Sequence, residues 1–94
     1  MPPKHLSKES EQNAKRFAVI GDPARMQILE SLSKGNPKNV SELAEEIGMA
    51  VACTSYHLQL LKEHELIESV RSGNSIFYSL KETSFTKHLK LFLP

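Results

Sequence analysis

Side chains able to do chemistry are concentrated between Val51 and Gln59. Cys53 and His57 stand four residues apart and would share a helix face. A thiol beside an imidazole could supply half of a metal site, or a thiol activated for redox sensing. Interleaved with them are Val51, Ala52, Ser55, Tyr56 and Gln59. Gln can pair bidentately with adenine, and small apolar groups suit the thymine methyl, so this set could read base edges in an A·T-rich half-site. Lys38, Ser41, Arg71 and Asn74 are further residues able to reach nucleic acid, Arg71 by touching a phosphate or a minor groove. The sequence holds no Gly-rich phosphate loop, no Ser/His/Asp arrangement and no paired carboxylate in a cleft-forming context, so no enzyme and no cofactor is expected. Glu45-Glu46 reads as a solvated helix face.

Positioning these groups requires a particular order of elements. Residues 7–20 read as a first helix with Ala14, Phe17 and Ala18 on one face and Glu9 and Glu11 near its favourable N-terminal end. Gly21 interrupts it. Asp22-Pro23 starts a second helix, because Asp caps well and Pro suits the first turn. Its apolar stripe is Met26, Ile28, Leu29 and Leu32, and Lys34-Gly35-Asn36-Pro37 ends it. Ser41 is the expected N-cap of a third helix with Leu43, Ala44 and Ile47 buried, stopped at Gly48. A fourth runs from Val51 to His64, with Thr54, Leu58 and Leu61 facing the core and the base-reading set facing out.

A β-hairpin follows. Residues 67–71 and 75–80 are rich in strand formers, and Ser72-Gly73-Asn74 supplies a glycine for the tip. Alternation would turn Ile76, Tyr78 and Leu80 toward the helices and Phe77 away. In the tail, Phe85, Leu89 and Phe92 recur at i, i+4 and i+7, a stripe too exposed for so small a monomer. We expect it to pack on the first helix across a two-fold interface. The predicted class is mostly α with a β-hairpin wing, a winged helix-turn-helix of about five helices plus two antiparallel strands. One domain spans 1–94, with the helix-turn-helix at 41–64, the wing at 66–80, and 7–20 with 82–93 as dimerisation helices.

Composition bounds the reading. Ninety-four residues make one small domain, with 24% charged and 39% hydrophobic residues. No apolar run approaches the roughly 20 residues that span a bilayer. Met1 to His5 lacks a secretory core, and one cysteine, Cys53, excludes an internal disulfide, so a cytoplasmic protein is expected. Net charge is only +1, unevenly spread. Residues 1–38 hold seven cations against four anions, 39–65 one against five, and 66–94 four against two. The segment expected to read bases is therefore acidic. Phosphate neutralisation drives most DNA affinity, so the cations must come from elsewhere.

The run Gly48-Met49-Ala50-Val51-Ala52-Cys53-Thr54-Ser55-Tyr56-His57-Leu58-Gln59-Leu60-Leu61 resembles the recognition helix of ArsR-type winged-helix regulators. Asp22-Pro23-Ala24-Arg25 with Ile28-Leu29 resembles the start of that family's second helix. Val40 to Ala44 resembles its third helix, and Gly73 with Phe77-Tyr78-Ser79-Leu80 its wing. The resemblance spans about residues 14–80 in register. It implies a homodimeric repressor of a palindromic operator, joined through its first and last helices. Ala50 departs from the family's capping Ser, Glu65 from its Gly, and Tyr56 from a frequent Arg or Gln.

The resemblance also bears on sensing. The family's arsenic sites resemble Cys-Val-Cys where this chain has Asn39-Val40-Ser41, and its zinc-type sites pair residues where this tail offers only His88. No recognisable metal site remains, and any inducer is unknown. Cys53 with His57 stays as a thiol- or metal-responsive alternative, though His57 matches a His common in relatives of other ligand classes. His64 is expected to be exposed. A second alternative is a winged helix kept as a protein-interaction module without DNA binding, which the acidic centre would permit.

Overall fold

The structure is a computed structural model that describes residues 5–94; the first four residues of the start read above as lacking a secretory core lie outside it. Along the chain run α1 (Lys8–Ile20), α2 (Pro23–Ser33), α3 (Val40–Ile47), α4 (Val51–Glu63), β1 (Ile67–Ser72), β2 (Ser75–Leu80) and α5 (Ser84–Leu89), closed by a 3-10 turn, Lys90–Phe92. This is a winged helix-turn-helix. No described helix is long and apolar enough to cross a membrane.

Local chemistry sets most helix starts. Ser7, Asp22, Asn39 and Thr83 each accept a hydrogen bond from the third backbone amide of their helix, at 2.9–3.1 Å. Asn39, not Ser41, caps α3. Its amide also donates to Glu42 Oε1 at 3.0 Å, and the reciprocal box outcompetes a cap two residues later. Ser41 lies exposed inside the helix. Ala50 offers α4 no side-chain cap, as its type predicts.

Two helices end in left-handed residues. Gly48 (φ 67°) closes α3, with Met49 N–H donating to the Ala44 carbonyl at 3.0 Å. After α4 the same bond runs from Leu66 N–H to the Leu61 carbonyl at 3.0 Å, but the left-handed residue is Glu65, at φ 63°. The turn survives without its glycine because tertiary contacts hold it: Leu66 and Ile67 beyond it are buried, and Lys81 pairs with the Glu65 carboxylate. That ammonium holds the carboxyl below the usual glutamate range.

The core lies where α2, α3, α4 and the hairpin base meet. Ile28, Leu29, Leu32, Leu43, Leu58, Leu61, Leu66 and Ile67 are essentially inaccessible to solvent. Each such side chain contributes about 1.5–3 kcal/mol of apolar transfer. The hairpin pairs Ile67 with Leu80 through Ser72 with Ser75 around a two-residue Gly73-Asn74 turn, Gly73 taking φ 62°. Leu80 is buried and Tyr78 packs on the core, but Ile76 is exposed. Alternation fails there because the wing tip extends past the helices.

Candidate nucleic-acid interface

Helix α4 presents two different sides. Thr54, Leu58 and Leu61 point inward and are fully buried, Thr54 Oγ1 donating to the Ala50 carbonyl at 3.0 Å. With that row fixed, Val51, Ala52, Ser55, Tyr56 and Gln59 are exposed, Tyr56 to 61%. Gln59 lies near Glu63, with Nε2 at 3.4 Å from its carboxylate. The five residues expected to read bases are thus brought together on the open side of one helix.

His57 turns away from that side. Its Nδ1 lies 3.2 Å from an Arg25 guanidinium nitrogen, and Arg25 Nε donates to the Val19 carbonyl at 2.5 Å. A guanidinium has no acceptor, so this contact requires His57 Nδ1 to accept, leaving the proton on Nε2. Arg25 therefore links the end of α1 and the start of α2 to α4, which gives His57 a partner other than the exposed Cys53. Asp22 completes the corner; the Arg25 backbone amide holds its carboxyl below the usual aspartate range. The only sequence signal for this link is the Asp22-Pro23-Ala24-Arg25 run, which sets Arg25 in the first turn of α2.

The wing supplies Arg71 and Asn74, both exposed, with Arg71 opposite Ile76 and free of ion pairs among the described residues. Lys62 Nζ donates to Ser69 Oγ at 2.8 Å and ties α4 to β1. Lys38, the remaining candidate, is held by side chains of α2 and α3. Its ammonium lies 2.5 Å from Glu46 Oε1 and 2.7 Å from Ser31 Oγ, and its side chain is only 20% exposed. Glu46 is thereby tied down, yet its side chain stays 41% exposed on the solvated face expected for Glu45-Glu46. Lys38 and Ser31 hydrogen bonds hold its carboxyl below the usual range.

At the opposite end, α1 meets α5. The Phe17 and Phe85 rings meet edge-on at 5.2 Å, and the Arg16 guanidinium sits 5.6 Å above Phe85. Arg16 Nε also donates to the His64 carbonyl at 3.0 Å, so His64 is half-buried where exposure was expected. Ala14, Phe17, Ala18 and Phe92 are exposed and Phe85 is half-buried. Leu89 departs from the expected open stripe: it is buried in the chain's own core. The α-helical repeat also stops at Leu89, so Phe92 is carried on the 3-10 turn instead. His88 Nδ1 contacts the Ser84 carbonyl at 2.6 Å, and among the described residues no three His, Cys, Asp or Glu side chains gather as a metal site.

Comparison with known proteins agrees with this architecture. Residues 22–69 match the family described as "Bacterial regulatory protein, arsR family". The transcriptional repressor SdpR of Bacillus subtilis is 39% identical over 67 residues, covering 71% of this chain and 73% of the relative. The regulator NmtR of Mycobacterium tuberculosis is 38% identical over 77 residues, 82% of this chain but 63% of that protein. Among solved structures, NolR from Sinorhizobium fredii superposes with a TM-score of 0.79 at 31% identity, covering 98% and 93% of the two chains. A homodimeric winged helix-turn-helix domain from Mycobacterium bovis does so at 0.81 with 26% identity, covering 96% and 86%. The chain belongs to the arsR family of bacterial regulatory proteins, DNA-binding winged helix-turn-helix regulators of transcription.

Proposed function

We propose that the protein is a homodimeric, cytoplasmic repressor that binds a palindromic operator with half-sites about one or two helical turns apart. The observation that carries this is α4: three inward residues fully buried, five base-compatible residues exposed on its other side. Val51, Ala52, Ser55, Tyr56 and Gln59 read the major groove, Gln59 favouring adenine. Ser41 at the start of α3, with Arg71 and Asn74 of the wing, contacts the backbone or minor groove. The whole chain acts as one DNA-binding unit, with α1 and the α5 region as the dimer platform. Exposed Phe17 and Phe92 on that platform support the dimer, as does the homodimeric relative from Mycobacterium bovis.

The test is fluorescence anisotropy on duplex DNA from upstream of the protein's own gene, across salt concentrations, with a random duplex as control. The reading expects tighter binding to the upstream duplex, weakening with salt by a slope of about −0.9 per phosphate neutralised. Equal, feeble binding to both would refute it and point to a protein partner.

A further inference from the structure

Lys38 joins three elements at one point. Its backbone pairs with β2, N–H donating to the Tyr78 carbonyl at 3.0 Å and carbonyl accepting from Tyr78 N–H at 2.8 Å. Its ammonium meets Glu46 of α3 at 2.5 Å and Ser31 of α2 at 2.7 Å. Ser31 Oγ in turn donates to Glu46 Oε2 at 2.5 Å, closing a ring of three side chains. The residue that pins the second strand of the wing is thus itself pinned to both helices beneath it. Tyr78 packs on the core, and Arg71 lies two register positions further out on the paired strand. A hairpin held at its base swings little at its end.

We propose that Glu46 and Ser31, acting through Lys38, are positioning residues for the wing, fixing the hairpin so that Arg71 meets the DNA backbone in register with α4. This rests on the operator-binding reading above. The geometry makes a prediction whose sign differs from that of simple electrostatics. Glu46→Gln removes a negative charge and releases the Lys38 ammonium, so charge alone would tighten binding to any duplex. Loss of the clamp instead weakens specific binding, by about fivefold, inside the coupling range for residues in one hydrogen-bond network.

Two variants with opposite charge changes provide the test. In Glu46→Gln and Lys38→Met, operator affinity falls by similar factors, whereas random-duplex affinity rises in the first and does not in the second. The Arg71→Ala background removes most of the Glu46→Gln effect, because the clamp acts through that side chain. Amide exchange at Lys38 and Tyr78 speeds in both variants while the α2 and α4 cores stay protected. The proposal is overturned if Glu46→Gln tightens both duplexes alike. It is equally overturned if Lys38→Met weakens both duplexes alike and flattens the salt slope by about one, since Lys38 would then be a phosphate contact. Should the wild-type protein show no operator preference, the repressor reading fails first. The clamp is then judged by amide exchange alone, and unchanged protection at Tyr78 refutes it.

Discussion

Ala50→Ser should stabilise the protein, and the size of the gain can be worked from α4. The backbone at Ala50 (φ −61°, ψ 148°) already has the extended conformation of a cap, and its carbonyl accepts the first helical bond, from Thr54 N–H at 3.0 Å. A serine hydroxyl there can reach the third amide of the helix, Cys53, as the caps of α1, α2, α3 and α5 already do. Ala50 is exposed, so nothing need move. One such cap is worth about 1 kcal/mol, within a range of roughly 0.5–2. For a chain of this size that raises Tm by about 4–8 °C. Thermal melts followed by circular dichroism measure it, at one fixed protein concentration because the proposed dimer would make Tm depend on concentration. Ala50→Asp should give a similar thermal gain but weaken operator binding, since it sets a carboxylate beside the phosphates. A native-like Ala50→Ser variant whose Tm stays within about 1 °C of wild type would refute the reasoning.

Three further outcomes follow from the geometry. Glu65→Gly should raise Tm, because it frees the left-handed corner at φ 63°, whereas Glu65→Gln keeps the strain, loses the Lys81 pair and should not. Phe92→Glu should yield monomers in sedimentation and abolish operator binding without lowering helix content, since Phe92 is 79% exposed in the single chain. Acid should expose the Glu46 clamp. Lys38 holds the carboxyl below its usual value, so its stabilisation is complete above the ordinary glutamate range and is lost as pH falls through the lowered folded value. Glu46→Gln should therefore flatten the acid limb of Tm against pH.

Periodicity made the helices legible. Thr54, Leu58 and Leu61 announce which side of α4 is buried, and Asp22-Pro23 announces where α2 begins. Most of what stayed hidden is tertiary. The Lys38 clamp is illegible in the sequence because Glu46 and Ser31 lie eight and seven residues away and come near only once α2 and α3 pack. His57 looks like a partner for Cys53 until Arg25, 32 residues earlier, is folded against it. The α3 cap lies two residues before Ser41 for a local reason: Asn39 with Glu42 forms a reciprocal box that outweighs a lone Ser41. The stripe of Phe85, Leu89 and Phe92 assumed an unbroken α repeat, which the 3-10 turn at Lys90 ends.

Cys53 has a practical consequence. It is the sole thiol in the sequence, it is exposed, and it projects from the helix assigned to the groove. A maleimide dye has one place to attach, so the native protein accepts a reporter on α4 with no engineered cysteine. The rate at which the unlabelled thiol is alkylated becomes a footprint of that helix: slowed where DNA covers it, unchanged where a partner docks elsewhere.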